Sequence, residues 1–421
     1  MAMSLTVVRA PNQQARDASL FSTGVLSAQF GDDIVLCGAD HQAVTEAAAS
    51  RTAHARVREV DADATDLYVV IQNGRLFQQH HPEIPVLHDR GRVLLVALPA
   101  AAKAALANDL DPCYTARPLV PGEIVFSTVR AQRQAQDVHV RRLVDSLSRE
   151  HYETSLRDIV VSAPTRHSAS AHFRAVSDRA AQALAALGYT VERQSFSAGA
   201  FESLNVIASR NGNGAAPRGV VIVTAHLDSI NLNEGPTAPA PGADDNASGS
   251  AGVLEIARVF ATHVCAHDLR FILFGGEEQG LHGSQHYVAA LPSDERGRVK
   301  AIVNMDMIGR LNKPRATVLI EGAGVSRRII DTLAQAAATY TTLAVETSLN
   351  AAASDHVPFI KAGLPAVLTI EGADSTNGAV HSARDVLDTI DYALALEILR
   401  MNVAFVADAL GCPSEQPSLP G

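Results

Sequence analysis

The sequence predicts an α/β protein. Its larger part reads as a three-layer sandwich around a mostly parallel, mixed sheet, with a small α+β domain before it. Three observations carry this. Beyond about residue 130, continuous apolar runs at 220–223, 271–274, 301–305 and 366–370 alternate with helical stretches, and unbroken apolar strands are what a sheet covered on both faces requires. The 421 residues, 47% hydrophobic and 19% charged, match an ordinary globular chain of two or three domains. Residues 1–129 have a different texture, with β-like runs at 33–37 and 92–96, each followed by an alanine-rich helical stretch (42–51 and 100–109). The two units are offset by about 60 residues, as a duplicated strand–helix–strand element would be.

Composition excludes several classes. Thirty-five Lys and Arg against 45 Asp and Glu give a net charge of −10, which opposes a nucleic-acid partner. The longest apolar candidate, 93–107, is broken by Lys103, so no membrane span is expected. The first residues show no basic stretch followed by an apolar core, so no secretion signal is expected. Cys37, Cys113, Cys265 and Cys412 lie far apart, with no CxxC pair and no disulfide framework, and a cytoplasmic protein is the expectation.

The elements follow in order. The polar, Gln/Arg-rich stretch 126–138 marks the boundary between domains at 1–130 and 131–421. A helix then shows Val140, Leu143, Val144 and Leu147 on one face. A second helix, 171–187, carries Phe173, Val176, Ala180, Leu184 and Leu187 and ends at Gly188 as a left-handed cap. Strand 220–223, helix 247–262, strand 271–274 and helix 280–291 come next, then strands 301–305 and 316–320. Helix 326–338, strand 366–370 and a helix over 386–410 capped by Asp385 complete the pattern. In such a sheet the ligand site lies beyond the carboxyl ends of the strands.

What stands at those ends is polar and of one kind. Strand 220–223 runs into Thr224-Ala225-His226-Leu227-Asp228-Ser229, and a loop leads to Asp244-Asp245-Asn246-Ala247-Ser248-Gly249 at a helix start. The next two strands run into Gly275-Gly276-Glu277-Glu278-Gln279-Gly280 and Asn304-Met305-Asp306-Met307, and Val380-His381-Ser382 precedes the last helix. Imidazole plus carboxylate without thiolate suits a hydrolytic zinc, cobalt or manganese centre better than a structural zinc. Five ligands exceed one open tetrahedral ion and match two that share a carboxylate. Asp245 is the natural bridge, since a carboxylate is favoured at a helix start. Glu277 and Glu278 cannot point the same way, so one can ligate while the other acts as general base. Asp228 faces the same side as His226 and can orient that imidazole through its second nitrogen. Asp306, in an apolar run, needs a partner to justify burial. Asp244 reads equally well as a supporting acid or a plain loop residue. His80 and His81 read as an exposed turn, and His167, His172, His282, His286 and His356 as packing or surface residues.

In this order the fragments resemble the M28 family of co-catalytic zinc aminopeptidases, typified by secreted bacterial leucine aminopeptidases, over roughly residues 141–410. The resemblance implies a zinc-exopeptidase-like fold and two divalent ions, most simply zinc, with cobalt or manganese as alternatives. It implies His226, Asp245, Glu278, Asp306 and His381 as their ligands, Glu277 as general base and Asp228 as the acid behind His226. The choice of Asp245 over Asp244 rests on the family's Asp-Asn/Asp-Ala/Gly-Ser-Gly run. Ser354-Asp355-His356-Val357-Pro358-Phe359 and Gly280-Leu281-His282-Gly283-Ser284 also resemble family sequence near the site. Where many members place a tyrosine, this chain has Val380 and Asn350-Ala351-Ala352-Ala353, which leaves the oxyanion to the metals and another donor.

The implied activity is that of a metallo-exopeptidase releasing the N-terminal residue of a peptide or aminoacyl substrate, with a metal-activated water and Glu277 as base. A carboxypeptidase, dipeptidase or N-acyl amino-acid amidohydrolase on the same site is the alternative, ahead of a glutaminyl cyclase or a non-enzymatic scaffold. Neither nucleic acid nor membrane is an expected partner, and a homo-oligomer is open. The N-terminal domain reads as a lid or built-in propeptide, or as an oligomerisation module.

Overall fold

The computed structural model describes residues 2–9, 24–51, 56–106, 113–199 and 201–412, so the end of the expected helical stretch at 107–109 lies outside the described residues. The chain divides into two compact units, 1–128 with 346–353, and 129–345 with 354–421.

The smaller unit holds β1 (Ala2–Arg9), β2 (Leu26–Phe30), β3 (Asp33–Gly38), α1 (His41–Ala49) and β4 (Arg58–Asp61). It continues with β5 (Leu67–Gln72), α2 (Leu76–His80), β6 (Val86–Asp89), β7 (Val93–Ala97), α3 (Ala100–Leu106), β8 (Tyr114–Pro118) and β9 (Ile124–Val129). Its strands run β2-β3-β1-β4 in one set and β6-β7-β5-β8 in the other, the same order twice. Each inner pairing is antiparallel in both sets. A helix stands between the third and fourth strands of each set, α1 in one and α3 in the other. The faces repeat as well. Val35 and Cys37 of β3 share one core with Leu95 and Ala97 of β7. Ile34 and Leu36 turn outward onto α1, and Leu94 and Val96 turn away into a separate cluster. Both hairpins turn on a left-handed glycine, Gly31 at φ 65° and Gly91 at φ 80°, a conformation glycine adopts without a Cβ penalty. The duplication suggested by the offset of about 60 residues is thus present in strand order, register and burial.

The larger unit holds α4 (Val138–Asp145), α5 (Arg149–Val161), α6 (Ala171–Ala186), β10 (Thr190–Ala198), β11 (Phe201–Arg210), β12 (Val220–His226), α7 (Gly249–Phe260) and β13 (Asp268–Phe274). After these come α8 (His282–Ala290), α9 (Ser293–Arg296), β14 (Val299–Met305), β15 (Thr317–Glu321), α10 (Arg327–Tyr340) and the start of β16 (Ala344–Ser348), which passes into the smaller unit at residue 346. The last are α11 (His356–Lys361), β17 (Ala366–Glu371) and α12 (Tyr392–Leu410). The sheet order is β10-β11-β13-β12-β14-β17-β15. The four central strands are parallel, and β10, β11 and β15 run antiparallel to their neighbours. Val221, Val223 and Ala225 pack beneath α5, α6, α7, α10 and α12, while Val220, Ile222 and Ile302 meet α8 and α11 on the other face. Each of these valines and isoleucines, fully buried, contributes about 1.5–3 kcal/mol relative to exposure. Helix α6 ends as its sequence predicts, with Gly188 left-handed at φ 86°.

Three features depart from the sequence reading. The last helix does not begin at 386. Leu387–Thr389 is a short 3-10 turn, and α12 starts at Tyr392, capped by Asp391, which accepts the Leu394 N–H. Asp385 is no cap because its carboxylate is engaged elsewhere. Residues 346–353 belong to the smaller unit, where Asn350 donates to Val125 O at 2.7 Å and Ala352 and Ala353 join the core. Finally, Cys265 and Cys412, 147 residues apart, form a disulfide. The fold brings them together, with Ala266 and His267 donating N–H groups to Gly411 O and Leu410 O. Disulfides persist mainly in oxidising compartments, an observation the cytoplasmic expectation does not account for. Among the described residues no helix is long and apolar enough to cross a membrane.

Candidate functional site

The carboxyl ends of β12, β13 and β14 bring His226, the Glu277-Glu278 turn and Asp306 to one edge of the sheet. Asp245 and His381 arrive on loops. The Asp245 carboxylate lies between the two imidazoles, with Oδ1 3.2 Å from His226 Nε2 and Oδ2 3.0 Å from His381 Nε2. His226 Nε2 is also 3.2 Å from Asp306 Oδ1, and His381 Nε2 is 2.9 Å from Glu278 Oε2. One half of the site is therefore His226 with Asp306, the other His381 with Glu278, and Asp245 faces both. Donor atoms of His226, Glu277 and Asp306 lie within 4.8 Å of one another, as do those of His226, Asp245 and Glu278. All six residues anticipated at this edge converge.

Asp228 is buried beneath them, and its role differs in detail from the one read in the sequence. His226 Nδ1 is 3.2 Å from the Asp228 backbone carbonyl and 3.7 Å from its carboxylate. The carboxylate instead accepts the N–H groups of Glu277 and Glu278, at 3.4 and 3.3 Å, and so orients the acidic turn. Asp306 is held by a relay. Thr224 Oγ1 donates to Asn304 Oδ1, Asn304 Nδ2 donates to Ser354 Oγ, and Ser354 Oγ donates to Asp306 Oδ2 at 2.6 Å. Asp244 is not a plain loop acid. Fully buried, it accepts Gly309 N–H and Asn377 Nδ2–H behind the site.

The electrostatics follow from burial. It pushes Glu277 well above the usual carboxylate range, with Asp306, Asp355 and Glu278 adding to the rise against the pull of His226. Burial and the Asp245 charge lift Glu278 to about 7. For the histidines, burial alone would depress the imidazoles, but Glu277 and Asp306 raise His226, and Glu278 and Asp245 raise His381. Burial also works against ionising Asp245, yet its bonds to both imidazoles hold it low. Acids outnumber bases in this low-dielectric space, and Glu278 Oε1 and His381 Nδ1 have no protein partner. Nitrogen and oxygen donors without sulfur, converging under excess negative charge, fit divalent cations.

Sequence reasoning missed two residues here, Arg166 and the true engagement of Asp385. Arg166 carried no signal, since it lies in the loop between α5 and α6, away from the strand ends, and an isolated arginine is ordinary. Asp385 stands four residues beyond His381, a spacing that could have been weighed.

Residues 205–406 match the family model described as Peptidase family M28. A probable leucine aminopeptidase of Trichophyton verrucosum (strain HKI 0517) is 32% identical over 216 residues, 49% of this chain and 58% of its own length, so the chain spans under two thirds of that relative. Leucine aminopeptidase 1 of Ajellomyces capsulatus is 28% identical over 307 residues, 68% of this chain and 78% of the relative. The solved aminopeptidase from Aneurinibacillus sp. strain AM-1 superposes with a TM-score of 0.56 at 18% identity, covering 65% of this chain and 97% of its own, a likeness of fold alone.

Proposed function

We propose, from the match of residues 205–406 to the model of Peptidase family M28, that the chain is a member of that family and a metallo-aminopeptidase. The observation that carries this is the Asp245 carboxylate set between His226 and His381, with Asp306 and Glu278 as their acidic companions and Glu277 left over. His226, Asp245 and Asp306 would hold one divalent ion, and His381, Asp245 and Glu278 a second, most simply zinc. Ions held there would supply Lewis-acid polarisation of a scissile carbonyl and acidification of a water.

The remaining chemistry belongs to the chain. Glu277, close to both His226 and Asp306 and not needed as a ligand, takes the proton of the attacking water on a carboxylate oxygen. It then delivers that proton to the departing amine nitrogen. In the metal-free site burial raises its pKa, and bound cations beside it would lower it, which suits a group that first accepts and then returns a proton. Asp228 fixes the acidic turn, so the base keeps its aim. Ser354 and Asn304 hold Asp306 in one rotamer. Peptides or aminoacyl compounds with a free α-amino group are the substrates.

Metal content by inductively coupled plasma mass spectrometry on the wild type and Glu277→Ala, with a panel of free and N-blocked substrates, tests this. Two ions per chain in both proteins, with cleavage of unblocked substrates lost in the variant, is the expected result. Activity on N-blocked substrates alone would move the reading to a carboxypeptidase or amidohydrolase. One ion or none after reconstitution would overturn the two-metal site.

A further inference from the structure

Two side chains that touch no ligand atom fix the path of the segment carrying Asp245. Arg166 is fully buried, and its guanidinium donates to three backbone carbonyls: Nε to Leu227 O at 2.8 Å, Nη1 to Pro241 O and Nη2 to Gly242 O at 2.9 Å. Asp385, 1% exposed, accepts two backbone N–H groups, from Asp244 on Oδ1 and Asp245 on Oδ2, both at 2.9 Å. Its own carbonyl accepts the Ala243 N–H at 3.1 Å. Residues 241–245 are thus held by their carbonyls at one end and their amides at the other. The two charges also attract one another. Gly242 within this stretch is left-handed at φ 51°, and a Cβ there would lie 2.4 Å from Asp245 O, so the backbone has no slack.

We propose that Arg166 and Asp385 are positioning residues that aim the Asp245 carboxylate at both halves of the metal centre. The inference rests on the metallo-aminopeptidase reading and goes beyond it. Hydrogen bonds between charged groups and the backbone are short and roughly twice as strong as neutral ones, which suits a device that must hold against repulsion from neighbouring acids. The same segment supplies His381 and, four residues later, Asp385, so the clamp ties one imidazole ligand to the backbone of the shared carboxylate. Arg166 also sets the other imidazole's strand exit through Leu227 O, next in the chain to His226. A carboxylate is required at 385 because two amides must be accepted at once. Asparagine offers one oxygen and turns an amino group toward the second N–H.

Asp385→Asn and Arg166→Lys, each compared with the wild type as metal-free and reconstituted protein, test the proposal. The expected result is a native circular dichroism spectrum without metal, and zinc affinity weakened by about 10–100-fold, the range typical of residues behind metal ligands. Affinity is read by competition with a chromophoric chelator. The visible spectrum of the cobalt form should change in both variants, and the melting temperature of the zinc form should fall more than that of the apo form. If the variants bind zinc as tightly as wild type with an unaltered cobalt spectrum, or if both forms lose stability equally, the clamp is merely structural and the proposal fails. Should Asp385→Asn not fold, Asp385→Glu, which keeps the charge and shifts it by one methylene, carries the same readouts. A wild type that binds no metal overturns the metallo-aminopeptidase reading itself, an outcome distinct from failure of the clamp.

Discussion

Leu95 and Val35 stand at equivalent places in two sheets of the same strand order, one residue in each half of the smaller unit, and both are fully buried in a shared apolar core. His226 and His381 stand at the ends of one strand and one loop of the larger unit, and what surrounds them is buried charge. The smaller unit spends its burial on repetition and hydrocarbon. The larger one keeps Asp228, Asp245, Glu277, Glu278 and Asp306 out of water, an arrangement that opposes folding unless partners compensate it. The contrast separates what holds a fold from what performs chemistry, and it can be tested by perturbing each side.

The largest effect is expected at Glu277. Glu277→Gln should lower kcat by about 10²–10⁴-fold while zinc content stays unchanged, checked by steady-state kinetics beside metal analysis. In the smaller unit the outcome should invert. Leu95→Ala is expected to cost about 2–5 kcal/mol in denaturant unfolding while the purified folded protein binds zinc as before. Val35→Ala, its counterpart, should lose less, since fewer methyl groups leave the same core. A change in zinc affinity in either variant would break the division between the units.

Reduction of the disulfide gives a further step. Two thiols, Cys37 and Cys113, should react under denaturing, non-reducing conditions and four after reduction, with a stability loss of about 2–4 kcal/mol in the reduced protein. Four reactive thiols before reduction would remove the cross-link from the account.

The smallest effect concerns pH. Burial raises Glu277 and the neighbouring Asp355, the latter to about 7, and Glu278 likewise to about 7. The carboxylates raise His226 and His381. All these folded-state values lie above the unfolded ones, so the folded metal-free protein binds more protons than the unfolded chain. Its stability should therefore fall as pH rises from about 5 to 8. Scanning fluorimetry in chelator should show the melting temperature declining over that interval, and added zinc should restore more at the alkaline end. A flat profile without metal would mean that the acids are less crowded than their distances indicate.

Much of this was legible along the chain because it is written locally. Unbroken valine and isoleucine at 220–223 marked a strand covered on both faces, and each strand ended in residues of one chemical kind. The apolar runs at 33–37 and 92–96, each followed by an alanine-rich stretch, were visible for the same reason. What escaped depends on contacts between distant residues. Asp385 looks like a helix cap until the amides of Asp244 and Asp245 are seen to occupy it. The Cys265–Cys412 pairing needs the loop after α7 beside the end of α12, which no spacing rule supplies. The eight residues from Glu346 to Ala353 look like any connection, and only packing assigns them to the smaller unit.

That short excursion has a consequence for how the protein can be taken apart. The chain crosses between the units at 128/129, 345/346 and 353/354, so the N-terminal unit is stitched in rather than strung on. A cut near Gln132 would remove the host of Ala352 and Ala353 and leave those apolar residues exposed directly ahead of Ser354, which grips Asp306. Deletion is therefore not a neutral subtraction. A graft or exchange of the N-terminal unit would have to carry residues 346–353 with it.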